Sequence, residues 1–153
     1  MSGIPKGATP GYLVWRLSIK WRNAVDQALT SLHLTHAQYV LLSSLFGMER
    51  SGLRPSQREL ADHTGLEALY VSKLARSLET AGLVQRTRDA DDIRIVRLAL
   101  TSAGRETVRP AMDTVQVLHD QLLAPLGGRD DPRTAAFVRT LASLLEAPLA
   151  PSD

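Results

Sequence analysis

SQRELADHTGLEALYVSKLARSLETAGLVQRTRDADDIRIVRLALTSAG, residues 56–104, is the stretch whose reading decides the fold. Ser56 followed three positions later by Glu59 is a capping box, in which each side chain satisfies an orphan backbone donor of a starting helix. That helix carries Leu60 and Ala61 and reaches Thr64, where Gly65 supplies the permissive backbone of a tight turn. Ala61 is small, so a second helix is able to cross closely. The second helix begins at Leu66 or Glu67, places Val71, Leu74, Ala75 and Leu78 inward, and stops at Ala81-Gly82 with a glycine C-cap. From Leu83 the apolar period changes to alternation. Leu83 to Thr87 reads as a strand, Asp89 to Ile93 as a polar hairpin tip, and Arg94 to Leu100 as a return strand with Val96, Leu98 and Leu100 on one face. Asp and Ala at the tip, rather than Asn-Gly, predict a loop longer than two residues.

Upstream, Met1 to Pro10 reads as a flexible arm with two prolines and two glycines. A first helix is expected from about Gly11 to Ser31. Val14, Leu17, Trp21, Val25, Ala28 and Leu32 form one stripe on it, and Tyr12, Trp15 and Ile19 form a second strip. Two strips suggest more than one packing partner, a second subunit among them. Thr35 with Gln38 repeats the capping box and opens a helix whose inward face is Val40, Leu41 and Leu45 and whose end lies near Gly47. Gly52 to Pro55 is a short break.

Downstream, Thr101 caps a long helix with Val108, Ala111, Met112, Val115, Leu118 and Leu122 on one face. Pro110 is expected to kink it or to mark where its regular part begins. Asp131-Pro132 opens a last helix with Phe137, Leu141, Leu144 and Leu145 inward, and Ala147 to Asp153 should fray.

A chain of 153 residues suits one well-buried core rather than a catalytic domain plus a separate binding domain. We expect a single domain over 1–153. Residues 1–10 form its arm, 35–100 a compact lobe, and 11–34 and 101–147 its flanking helices. The absence of cysteine excludes disulfides, thiolate metal sites and thiol redox sensing. No stretch has the apolar length of a signal core or a bilayer span, so a cytoplasmic protein is the expectation. A net charge of +2 decides little. Residues 51–100 hold eight basic side chains against seven acidic ones, so the placement of charge matters more than its sum.

The order of short helix, glycine turn, second helix, hairpin and capped helix is that of a winged helix-turn-helix, in a chain that is mainly α with a small β-hairpin wing. Such a unit suits double-stranded DNA, because the second helix fits a major groove while the hairpin reaches a neighbouring groove. Three runs then carry a resemblance: Gly82-Leu83-Val84-Gln85-Arg86, Asp89-Ala90-Asp91-Asp92-Ile93-Arg94 and Leu100-Thr101-Ser102-Ala103-Gly104. Together they resemble the signature of the multiple antibiotic resistance regulators, the MarR family, and the flanking helices follow the family order over nearly the whole chain. The resemblance implies a homodimer joined by the first helix and the last two, binding an inverted repeat and in many cases releasing it when a small molecule binds. The residues agree on the dimer, because two long terminal helices with wide apolar faces lack partners within one subunit. Half-sites would then lie about 10 base pairs apart.

Helix geometry assigns roles. Ala68, Leu69, Ser72, Lys73 and Arg76 fall opposite the Val71, Leu74 and Leu78 stripe. Ser72, Lys73 and Arg76 are candidates for base edges or phosphates, and Leu69 for a thymine methyl. Ser56, Gln57 and Arg58 lie at a helix N-terminus that favours a phosphate, and Arg86 and Arg88 lead into the wing as further phosphate candidates. The resemblance makes Arg94 the minor-groove arginine and Asp92 the residue that orients it. Two positions depart from the family. Ile93 stands where a second basic residue is usual, and Glu67 where a hydroxyl cap is common; glutamate caps poorly and repels phosphate.

Other readings remain beside these. Arg86 and Arg88 also fit ordinary surface arginines, Asp92 with Arg94 also fits a turn-stabilising pair, and the whole lobe also fits a protein-binding module without DNA contact or a DNA-binding protein without a ligand response. An enzyme is not supported: there is no nucleophile elbow, phosphate loop, carboxylate pair or metal-spaced cluster. The histidines, His33, His36, His63 and His119, are scattered, so no metal and no cofactor is expected. For a small aromatic or phenolic effector, the resemblance points to Trp15, Arg16, His36 and Tyr39, which also fit ordinary core or surface positions. The ligand, the operator, the target genes and the sign of regulation are not written in the chain.

Overall fold

The computed structural model describes residues 3–151, and these fall into two compact units, one ending at Val115 and the other beginning at Gln116. Of the expected arm, Met1 and Ser2 lie outside the described residues, as do Ser152 and Asp153 of the expected fraying tail.

The first unit begins with α1 (Pro10–Leu29), started by Thr9, whose hydroxyl accepts from the Tyr12 amide, with Pro10 at the first helical position. It starts one residue earlier than expected, and a 3₁₀ turn over Thr30–Leu32 continues it. The apolar stripe is buried only in its second half. Val25 and Leu29 are fully enclosed, whereas Val14 and Leu17 are exposed. Helix α2 (His36–Arg50) carries the expected capping box and buries Leu41, Leu42 and Leu45. Helix α3 (Gln57–Thr64) is capped reciprocally by Ser56 and Glu59 and ends on Gly65 at φ 75°, a left-handed conformation that only glycine adopts without strain. Helix α4 (Ala68–Thr80) crosses it with Val71, Leu74, Ala75 and Leu78 inward.

After Gly82, strands β1 (Val84–Arg88) and β2 (Val96–Leu100) pair antiparallel, with Val84 opposite Leu100 and Arg88 opposite Val96. The first strand keeps its expected length but starts one residue later, and the return strand is shorter than the alternation suggested, because the loop from Asp89 to Ile95 is closed by its own backbone bonds: the Asp89 amide donates to the Ile95 carbonyl, and the Ile95 amide to the Asp92 carbonyl. The short break after α2 forms a further edge, where the Leu98 amide donates to the Pro55 carbonyl and Ser56 bridges Arg97. Val84, Leu98 and Leu100 are buried, as are Leu60 and Leu78 on α3 and α4, each such side chain contributing about 1.5–3 kcal/mol on burial.

Helix α5 (Ser102–Leu122) is mounted on the hairpin by Thr101. The Thr101 amide donates to the Leu83 carbonyl at 3.1 Å, its hydroxyl donates to the Gly82 carbonyl at 2.6 Å, and the same hydroxyl accepts from the Gly104 amide at 3.0 Å. A Cβ at Gly104 would collide with the Leu83 carbonyl, which is why the helix start needs glycine there. The helix runs through Pro110 without ending.

In the second unit, after a 3₁₀ turn at Ala124–Leu126, Asp131 caps α6 (Pro132–Glu146) by accepting from the Arg133 amide. Thr134 is buried and its hydroxyl donates to the Gly128 carbonyl at 2.6 Å. The inward face expected for α6 is instead open. Leu141, Leu144 and Leu145 are exposed, Leu145 at 87%, because a single hairpin of helix offers too little surface to enclose them.

Candidate nucleic-acid interface

Helix α4 presents one face to solvent that the core does not use. Leu69 is 84% exposed, Lys73 and Arg76 are exposed, Ser72 is half-buried, and these with Glu67 and Tyr70 line a shallow hollow of about 470 Å³. Lys73 and Arg76 enter no ion pair among the described residues. The predicted row therefore comes together as one surface. Glu67 stands at the N-cap without a side-chain bond, as expected of a poor capper. Tyr70, half-open at the edge of this row, was not among the predicted residues. Its place one step outside the Val71 stripe was the available signal.

The wing is organised differently. Asp92 accepts from the Arg94 amide and Nε at 3.0 Å through one oxygen, and from the guanidinium at 2.9 Å through the other. This forked bond from Arg94 holds the Asp92 carboxyl below its ordinary value of 3.8, while the arginine side chain remains 86% exposed. Ile93, at 75% exposure, occupies the tip beside it. Arg88 donates across the hairpin to the Ile93 carbonyl at 2.8 Å. Arg97, missed by the sequence reading, is the wing's fastener. It bonds Asp89 at 2.6 Å and the Arg54 carbonyl at 2.7 Å, and it lies 3.8 Å from Glu59. The Arg97 bond is the main cause of a lowered Asp89 carboxyl, with backbone donors at Asp91 and Asp92 assisting.

The remaining predicted phosphate candidates are partly committed elsewhere. Ser56 is buried, and its hydroxyl is used in the capping box, so only its helix-end environment faces outward. Gln57 accepts from Arg86 Nε at 3.1 Å, and Arg86 also approaches Glu79 at 3.6 Å, so Arg86 ties α3, α4 and β1 together rather than standing free. Arg58 is exposed and in no ion pair among the described residues.

The four effector candidates are not brought into one hollow. His36 lines a hollow of about 470 Å³ with Arg22, Asp26 and Tyr70, whereas Trp15 and Arg16 sit on the open first half of α1, where Arg16 bonds the Tyr12 hydroxyl at 2.7 Å. Burial lowers the His36 pKa, against the pull of Asp26 and with the push of Arg22. Tyr39 is raised by burial, which outweighs its bond with Ser43. Among the described residues no group of histidine and acidic side chains is arranged to hold a metal, and no helix is long and apolar enough to cross a membrane.

Residues 34–96 match the profile of the MarR family. Over 142 residues the chain is 32% identical to the HTH-type transcriptional repressor Rv2887 of Mycobacterium tuberculosis, covering 93% of this chain and 97% of that one. The chain belongs to the MarR family. Two solved structures share its MarR fold at 25% identity. The S. aureus MepR–DNA complex superposes with a TM-score of 0.78, covering 90% of this chain and 97% of that one. CouR from Rhodococcus jostii RHA1, bound to p-coumaroyl-CoA, superposes at 0.77 and covers 94% and 96%. The winged helix expected from residues 56–104 is thus the DNA-binding lobe architecture of a MarR regulator.

Proposed function

We propose that this chain is a sequence-specific DNA-binding transcriptional repressor that acts as a homodimer on an inverted repeat. The observation that carries the reading is the α4 face of Leu69, Ser72, Lys73 and Arg76, with neither cation in an ion pair among the described residues, in the same lobe as a wing whose Arg94 is presented by Asp92. Unpaired cations on a helix of groove width have phosphates and guanine edges as their natural partners, and a braced arginine at a hairpin tip suits the narrow minor groove. Arg58 and the α3 N-terminus add a phosphate contact. MepR, a relative of the same fold, is known in complex with DNA, and Rv2887 is a repressor.

Dimerisation is supported by apolar surface that each unit leaves open: Leu13, Val14, Trp15 and Leu17 on α1, and Val138, Leu144 and Leu145 on α6. Twofold pairing would set two α4 helices about one DNA turn apart. A small aromatic effector is the finer reading, supported by the His36 hollow and by the p-coumaroyl-CoA held by CouR. Binding-site selection from random duplex DNA tests the whole. An enriched inverted repeat with half-sites about 10 base pairs apart is expected, bound by a species of twice the chain mass. Failure to enrich any sequence, or a monomer in the bound complex, overturns the reading.

A further inference from the structure

A third hollow, of about 700 Å³, lies between the last turns of α2 and the first half of α5. Its wall carries Phe46, Glu49 and Arg50 from α2 and Arg105, Arg109 and Asp113 from α5. Three guanidiniums are thus gathered against two carboxylates, all within the first unit. Their positions are not equivalent. Arg105 is matched by Glu49 at 3.1 Å, whereas Arg50 and Arg109 stand over the Phe46 ring at 5.9 and 5.8 Å from its centroid and enter no ion pair among the described residues. Asp113 shares the wall and forms no ion pair with either of them.

Two like charges beside one ring repel each other, and the ring's π face offsets only part of that. A guanidinium held 5.8–5.9 Å from a ring centroid is only loosely engaged by the ring and keeps its N–H donors, the fork that matches phosphate and carboxylate oxygens. We propose that this hollow is a binding site for a small, multiply charged oxyanion, an organic phosphate or polycarboxylate, held by Arg50 and Arg109 and drawing on Arg105.

Glu49 connects the site to the wing. One of its oxygens accepts from Arg105, and the other accepts from the Leu100 amide at 2.8 Å, where β2 ends. An oxyanion that recruits Arg105 competes with Glu49 and so acts on the residue that anchors the hairpin to α2. Binding here is separate from DNA recognition and is measured on the protein alone, so its failure leaves the proposed function standing, and the reverse holds.

The test is isothermal titration of the full chain with pyrophosphate and with citrate, at constant ionic strength set by chloride. Saturable binding of one anion per subunit is expected. Arg50→Gln with Arg109→Gln should weaken it about tenfold or more, and Arg139→Gln, on exposed α6, should leave it unchanged. Glu49→Gln, which keeps an acceptor for Leu100 but removes the competing charge, should tighten it. Should the double variant fail to fold, Arg109→Gln alone gives the same comparison from an exposed position. Binding of pyrophosphate without citrate assigns a phosphate ligand, and the converse a carboxylate ligand. No saturable heat with either anion, unchanged affinity after loss of the arginines, or weaker binding by Glu49→Gln overturns the proposal.

Discussion

The outer face of α4 and the wing are both cationic, yet their cations are held in opposite ways. On α4, Lys73 and Arg76 have no ionic partner among the described residues, whereas on the wing Arg88, Arg94 and Arg97 are each fastened, to the Ile93 carbonyl, Asp92 and Asp89 respectively. Free side chains adapt to the sequence-dependent edges of a major groove at the cost of ordering entropy, while braced ones meet a groove whose chemistry varies little and whose shape is the signal. On the proposed DNA-binding reading, this contrast would leave discrimination between sequences to α4 and general affinity to the wing.

The wing depends on its mount, so the largest effect is expected there. Gly104→Ala puts a methyl group into the Leu83 carbonyl, a backbone atom that cannot swing aside as a side-chain end would. A loss of about 3 kcal/mol is expected, read as a fall in the urea midpoint with unchanged slope. A variant as stable as the parent would show that the hairpin is not seated through Thr101 and Gly104.

Next comes Arg94→Ala, expected to weaken DNA binding about tenfold on every sequence tested, with the salt slope shallower by about one unit. Asp92→Asn should fall in the same direction by less, since the cation remains but its two-pronged brace is lost. Equal affinity for parent and Arg94→Ala, measured by fluorescence anisotropy at two salt concentrations, would transfer the wing's role to Ile93 or to shape alone. Ser72→Ala is the counterpart on α4. It is expected to change the selected sequence while altering affinity for unrelated DNA by less than about twofold.

Much of this contrast was legible in the chain because it rests on local rules. The capping boxes at Thr35 and Ser56, the turn at Gly65, the change of period at Leu83 and the outward row on α4 all depend on neighbours within a few residues. Asp92 as the residue that orients Arg94 came from the resemblance to the family wing, with a local turn-stabilising pair as its alternative. What escaped was partner choice over long separations. Nothing in the local pattern says that Arg86 will find Gln57, that Arg97 will span Asp89, Glu59 and the Arg54 carbonyl, or that Ser56 will be buried at its bridge with Arg97. The terminal helices misled in a related way. Periodicity identified the apolar faces of α1 and α6, but a face does not specify whether its cover comes from the same chain, and Val14, Leu144 and Leu145 are exposed in this chain.

The smallest effect is also the most specific. Asp89 and Asp92 both titrate below 3.8, Asp89 chiefly through its bond from Arg97 and Asp92 chiefly through its bond from Arg94. A carboxyl whose folded value is depressed favours the native state above its unfolded value, and that contribution is lost as pH falls through the lower folded value. The wing should therefore loosen only in strong acid. Side-chain ¹³C titration separates the two braces. Arg97→Ala should return Asp89 toward 3.8 while moving Asp92 little, and Arg94→Ala should do the reverse. If either substitution shifted both carboxyls equally, the tip and the base of the wing would be one electrostatic unit. Arg94 could then not be repositioned without disturbing the Arg97 fastening beneath it.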